Sequence, residues 1–280
     1  NTVKRGYGNP LGLGTRKPWY TFSIMTALDS IILGIVEGIT EFLPISSTGH
    51  LILVSELLNI PPSAFLSSFQ IAIQLGAIAA VVFLYWKSFL DFNFLKKLFV
   101  AFLPTGLVGF LVYPYVKGFL LGNSMVVVAS LFIGGIVLIL FELIHKERPD
   151  SLEGAKEITY RQALLVGLFQ SIAIIPGVSR SAATIIGGLV AGMRRVAIVE
   201  FSFLLAVPTM MAATGYDLLK SADTFAMDDF GLLALGFGTA FVVALLSMRF
   251  LLQIVRRYTF IPFGIYRIVL AIAFFFIVLY

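Results

Sequence analysis

Glu37 and Glu41 stand four residues apart, so on a helix they share one face. Carboxylates that close repel each other and ionise together only beside a cation. Oxygen donors of this kind suit Mg²⁺ or Ca²⁺, and Mg²⁺ commonly shares its coordination with phosphate oxygens. Ser46, Ser47, Thr48, Gly49 and His50 follow within a few residues. Ser and Thr are natural N-caps, and capping accounts for one of these hydroxyls. A helix N-terminus is also an anion site, with free amides and the positive end of the dipole, and Gly49 lets a ligand come close. Ser47 and His50 lie three residues apart, and a hydroxyl beside an imidazole is the pattern of an activated nucleophile. His50 has two other possible roles, as the base for a water or as the attacking group on phosphorus. The spacing leaves that choice open.

A second run, Pro176-Gly177-Val178-Ser179-Arg180-Ser181-Ala182-Ala183-Thr184, mirrors the first. Arg180 stays charged at any relevant pH and offers a planar donor fork that matches phosphate. Ser179, Ser181 and Thr184 add donors, as a multi-oxygen anion requires. The competing reading pairs Arg180 with Glu37 or Glu41 as structural glue. Aligning the runs puts Gln170 over Glu37, Ser179 over Ser46, Arg180 over Ser47 and Ser181 over Thr48. One copy carries metal and proton chemistry, the other an anion grip. Phosphoryl transfer needs both, because its catalysis is largely positioning plus charge stabilisation. Gln70, Gln74, Glu200, Tyr216 and Arg267 are further polar residues in or near apolar segments, read as interhelical hydrogen-bonding groups. Glu200 sits near the repeat-equivalent of Gln70, which makes it a candidate to line the same cavity.

The elements that carry these residues belong to a membrane. Of 280 residues, 59% are hydrophobic, and the mean hydropathy is +0.98. Several stretches reach the roughly 20 apolar residues that span a bilayer. The chain has no cysteine, which excludes disulfides and thiolate chemistry, and only two histidines. The net charge of +5 is read by loop position and not as a nucleic-acid footprint. Residues 1–24 are polar, Gly-rich and basic, and are read as a leader, tag or disordered arm ahead of Met25.

Apolar pieces at Ala27–Leu43 and Thr48–Leu58, broken at Pro44, are each too short to cross; they predict a re-entrant hairpin, tolerated only where protein or water covers the break. Spans follow at about Phe65–Trp86, Phe94–Val116 and Ser124–Ile144. A charged surface loop covers 145–161. Residues 162–280 repeat the plan: pieces at Ala163–Ile175 and Ala182–Met193, then spans at Ala197–Leu219, Phe230–Leu252 and Phe260–Tyr280. One hairpin plus three crossings per half inverts the second half relative to the first. The expected architecture is an all-α integral membrane protein with an inverted-topology repeat (25–144 and 162–280), six transmembrane helices and two re-entrant helical hairpins.

Lys87, Lys96, Lys97, Lys146, Arg148, Lys156, Arg161, Arg194, Arg195, Arg256 and Arg257 then fall on one side, which the positive-inside rule makes cytoplasmic. Lys117, Lys220, Asp223, Asp228 and Asp229 fall on the other. Both termini are expected outside.

Glu37-x-x-x-Glu41 with Pro44-x-Ser-Ser-Thr-Gly-His50, and Pro-Gly-x-Ser-Arg-Ser-x-x-Thr over Pro176–Thr184, resemble the bacterial undecaprenyl pyrophosphate phosphatases, a family also linked to bacitracin resistance. Phe201–Pro208 and Phe260–Arg267 are similar to it too, and the likeness runs from Met25 to the C-terminus. It implies hydrolysis of undecaprenyl diphosphate to the monophosphate and phosphate, recycling the lipid carrier of cell-wall synthesis. It implies dependence on Mg²⁺ or Ca²⁺, a bacterial plasma-membrane location and an active site open to the outer face. By this likeness Glu37 and Glu41 contact metal or pyrophosphate. Arg180, Ser179, Ser181 and Thr184 grip phosphate with Ser46 and Thr48, and Ser47 or His50 is nucleophile or base.

The expected partners are a polyprenyl diphosphate lipid and the bilayer, with no nucleic acid; a homodimer is compatible with the sequence. Two rivals remain at this level. Membrane phosphatases that form a phosphohistidine need a second histidine, which the second half lacks. A lipid-phosphate flippase shares the broken-helix design.

Overall fold

The computed structural model describes residues 25–115, 124–147, 151, 154–221 and 230–276. The arm at 1–24, Lys117, Arg148, Asp223, Asp228 and Asp229 lie outside the described residues, as do the side chains of Tyr216 and Lys220. Among the described residues there is no β-strand. The chain is an all-α integral membrane protein.

The first hairpin is α1 (Ala27–Thr40) and α2 (Ser47–Leu57). Thr26 starts α1 with a capping box: its hydroxyl takes the Asp29 amide while Asp29 takes the Thr26 amide. Pro44 lies in the break, and Ser46 caps α2 from a backbone at φ 71°. At 11 residues α2 is about 16 Å long by helical rise, well short of a ~30 Å hydrocarbon layer. Next come α3 (Ala64–Tyr85), α4 (Phe92–Tyr115) and α5 (Ser124–Ile144). The expected spans match these three within a few residues.

The second hairpin is α6 (Tyr160–Ser171) and α7 (Arg180–Val190). It opens with the same device as α1, a capping box between Thr159 and Gln162. A short 3₁₀ turn at Ile172–Ile174 and the Pro176-Gly177 pair end α6, with Gly177 at φ 88°. Then follow α8 (Arg195–Ser221), α9 (Phe230–Val255) and α10 (Ile261–Phe274). Helices α3, α4, α5, α8 and α9 are long and apolar enough to cross a membrane. The described part of α10 has 14 residues, and 277–280, the end of the expected sixth span, lie outside the described residues.

Packing pairs exchange when the halves are exchanged. Helix α1 packs on α9 as α6 packs on α4, and α5 packs on α10. Small residues permit the approach, as is usual between membrane helices. A methyl on Gly34 of α1 would stand 2.8 Å from the Gly236 carbonyl of α9. Its aligned counterpart Gly167 on α6 faces the Ala101 carbonyl of α4 in the same way. The core between the halves is aromatic and aliphatic, with Phe42 from the first break against Phe203 of α8, ring centroids 5.2 Å apart. Large apolar side chains such as Phe110 and Ile144 are exposed, as a lipid-facing surface requires. At the start of α8, Arg195 makes a partly buried ion pair with Glu142 of α5 at 2.8 Å and a second with Glu147 at 3.0 Å.

Candidate active site at two helix breaks

The breaks of the two hairpins meet. The Ser181 hydroxyl at the start of α7 donates to the Leu43 carbonyl in the first break at 2.8 Å. Arg267 of α10 closes the contact from behind. Its guanidinium is 1% exposed and donates to four backbone carbonyls: Pro44 in the first break at 3.4 Å, Gly177 in the second at 3.2 Å, and Ser130 and Leu131 of α5 at 3.0 and 3.4 Å. A Cβ on Gly134 of α5 would run into this guanidinium. Arg267 therefore does make interhelical hydrogen bonds, as read from the sequence, and those bonds tie both breaks to α5.

The charged groups converge at the same place. Glu41 Oε1 accepts from Arg180 Nη2 at 3.1 Å, and Glu41 Oε2 accepts from the Ser47 hydroxyl at 2.6 Å. This ion pair joins the halves and is nearly sealed, with side chains 10% and 5% exposed. Arg180 Nη1 donates to the Ser202 carbonyl of α8 at 2.8 Å, while Arg180 Nε is buried and unpartnered. Thr184 lies 2.7 Å from the Ser202 hydroxyl and donates within α7 to the Arg180 and Ser181 carbonyls. Ser179 caps α7, accepting from the Ala182 amide, and lies 3.1 Å from Ser181. Ser46 caps α2 through the Gly49 amide. Thr48 is exposed and outside this network.

Glu37 is fully buried beside Glu41, and neither of its oxygens has a donor partner. Its aligned counterpart Gln170 is also fully buried, yet its amide donates to Thr105 at 2.9 Å and Thr209 at 3.2 Å. One position in two related copies is thus a bonded neutral amide in one and a bare carboxyl group in the other. Burying such a group without a donor is expensive, which makes Glu37, beside Glu41, a residue that could hold a cation. The two glutamates read together as a metal pair lie side by side: Glu41 accepts from Arg180 and Ser47, and Glu37 faces Glu41. No cluster of three or more metal-binding side chains exists among the described residues. A hard divalent cation held by Glu37 and Glu41 would have to take most of its shell from water or substrate, as Mg²⁺ commonly does.

His50 is buried on α2. Its Nδ1 lies 2.7 Å from the Ser46 carbonyl, and its Nε2 lies 2.8 Å from the Tyr266 hydroxyl. Ser47 points to Glu41, so the hydroxyl–imidazole pair suggested by the spacing is not formed; Ser47 opens α2 and its side chain turns back toward the end of α1. Sequence reasoning missed Tyr266 and Ser202. Each is a polar residue within an apolar helix far along the chain, and the one available signal was its place in a motif shared with the resembled family. Gln70, Gln74 and Glu200 enter none of the bonds described here. Glu200 lies instead beside Tyr85 and Arg256.

The fold and site define a polytopic membrane protein whose charged centre is built from two helix breaks in different halves of the chain. A family profile described as "Bacitracin resistance protein BacA" matches residues 30–273. A protein of Sulfurihydrogenibium sp. (strain YO3AOP1) named undecaprenyl-diphosphatase is 51% identical over 251 residues, covering 90% of this chain and 99% of that protein. Proteins of the same name from Aquifex aeolicus (strain VF5) and Bdellovibrio bacteriovorus are 49% and 51% identical, covering 98% and 94% of their own lengths. The chain belongs to the bacitracin resistance protein BacA family.

Proposed function

We propose that this protein hydrolyses undecaprenyl diphosphate to undecaprenyl phosphate and inorganic phosphate, and that it confers bacitracin resistance by recycling the cell-wall lipid carrier. The observation that carries the reading is the sealed contact of Arg180 with Glu41, 3.1 Å across the two breaks, beside a bare Glu37. A pyrophosphate group there meets a guanidinium with a spare Nε–H, two helix N-termini capped by Ser46 and Ser179, and a carboxyl group able to hold a cation. The names of the close relatives support the same substrate.

Each group has a role in this reading. Arg180 holds the phosphate oxygens, with Thr184 and Ser202 fixing its position and Ser181 locking the second break to the first. Glu41 orients both Arg180 and Ser47. Its short bond to the Ser47 hydroxyl makes it the nearest group to take that proton if Ser47 attacks phosphorus. His50 serves in the alternative as nucleophile or as base for water. Glu37 is the residue to hold Mg²⁺ or Ca²⁺, with Glu41 as its neighbour; the cation supplies charge neutralisation on the phosphate oxygens. The chain lies in the bacterial plasma membrane as an inverted repeat, 25–144 and 162–280 about the loop 145–161, with both termini and the site toward the outer face.

The test is phosphate release from undecaprenyl diphosphate by protein purified in detergent, where no sidedness exists. The expected result is release that needs Mg²⁺ or Ca²⁺. Binding of the lipid without turnover, together with lipid movement across vesicles, contradicts hydrolysis and favours a flippase.

A further inference from the structure

Tyr266 covers the working nitrogen of His50. The Ser46 carbonyl, 2.7 Å from Nδ1, can only accept a hydrogen bond, so a neutral imidazole carries its proton on Nδ1. Nε2 then holds the lone pair, and the Tyr266 hydroxyl 2.8 Å away donates to it. The rings stack with centroids 5.5 Å apart and planes 6° apart, which fixes the phenol over this partner. His50 is 7% exposed, whereas Tyr266 is 44% exposed. The phenol is thus the more accessible end of the pair, and its hydroxyl caps the lone pair of Nε2.

Helix α10 is held beside the site by the residues next to Tyr266. The next residue is Arg267, buried and bonded to both breaks and to α5, and Gly264 packs against Gly135 of α5 at the distance of backbone contact. The Tyr266-Arg267 pair thus reaches the histidine and the two breaks from a single rigid turn.

We propose that Tyr266 is the proton relay between His50 and the group that attacks phosphorus. This rests on the reading above that His50 takes part in phosphate release as a base. In the step, the O–H bond of Tyr266 breaks as its proton passes to Nε2, while the phenol oxygen takes the proton of the attacking hydroxyl or water. The phenol ends neutral, the imidazole ends as imidazolium, and the attacking oxygen keeps the electron pair that forms the new P–O bond. After cleavage the reverse transfer returns the proton toward the leaving group. Neither metal nor a further reactant enters this exchange.

Tyr266→Phe keeps the stacked ring and removes only the hydroxyl. Its kcat for phosphate release is expected to fall by about 10²-fold, the usual size of a general acid–base contribution, with KM and thermal midpoint held near those of the unaltered protein. Tyr266→Ala opens a half-exposed slot, and added phenol is expected to restore part of its activity. Anisole has the same ring and no O–H, and is expected to restore none.

An unchanged kcat in Tyr266→Phe overturns the relay, as does equal rescue by phenol and anisole. His50→Ala in the same preparations separates the two levels of the argument. If it retains full activity, the role of His50 itself fails; if it is inactive while Tyr266→Phe is fully active, the relay alone fails.

Discussion

Glu37 and Glu41 look alike in the sequence and differ in the folded chain. Glu41 is bonded to Arg180 and Ser47, and its removal strands a buried guanidinium. Glu41→Ala is expected to cost about 3–5 kcal/mol of stability, as breaking buried pairs does, and to lower the thermal midpoint clearly. Glu37→Gln should do the opposite. It replaces a buried carboxyl group facing Glu41 with a neutral amide of the same shape, as found at Gln170, which removes the like-charge contact, so the midpoint should stay or rise. Its phosphate release should require far more Mg²⁺ or Ca²⁺ than the unaltered protein. A metal titration and a thermal scan on the same samples check both halves; a Glu37→Gln protein with unaltered metal demand contradicts the role given to that residue. The identities of these two glutamates, of His50 and of Arg180 were legible because charges and hydroxyls stand out beside helix breaks in an apolar chain. Their partners were not. Tyr266 lies 216 residues from His50, and no local period marks it.

At the scale of elements, the breaks work because they are held and not merely interrupted. Pro44 and Pro176 were enough to place both breaks from the sequence, and the expected short helices fall within a few residues of α1, α2, α6 and α7. Capping boxes at Thr26 and Thr159, closed by Asp29 and Gln162, mark the same start in both copies. What no pattern announced is that Arg267 staples the breaks through four carbonyls. Gly177 is the weak point of this arrangement. Its φ of 88° disfavours any side chain, and a Cβ would stand 2.7 Å from the Val127 carbonyl of α5. Gly177→Ala is expected to cost about 1–3 kcal/mol and to shift Arg180 away from Glu41. The measurable result is a lower thermal midpoint with phosphate release reduced more than tenfold relative to a distant control such as Gly231→Ala, where a methyl meets nothing. Equal activity in both variants contradicts the dependence of the site on this turn.

Over the whole molecule, the mirrored contacts of α1 with α9 and α6 with α4 fit two halves inserted in opposite directions. Loop charge is what the proposed orientation of those halves rests on. The turn between α2 and α3 carries no Lys or Arg, whereas Arg256 and Arg257 follow α9. In this cysteine-free chain, single cysteines at Pro62 and Arg257, both exposed, report the sides directly. An impermeant thiol reagent added to intact cells is expected to label the first and not the second; labelling of both from outside contradicts the inverted arrangement. Composition made the membrane-spanning helices legible, since hydrocarbon thickness acts on whole segments. The meeting of the two breaks depends on side-chain packing between segments more than 130 residues apart, which local pattern does not encode.

The central claim is that His50 of the first half and Arg180 of the second serve one reaction at one place. The direct measurement is kcat/KM for undecaprenyl diphosphate in His50→Ala, Arg180→Ala and the double variant, purified in detergent with saturating Mg²⁺. Residues acting as a unit are strongly non-additive, so the double variant should be scarcely slower than the slower single one. Losses that multiply in the double variant would mean that the two breaks act independently, and the shared site would have to be abandoned.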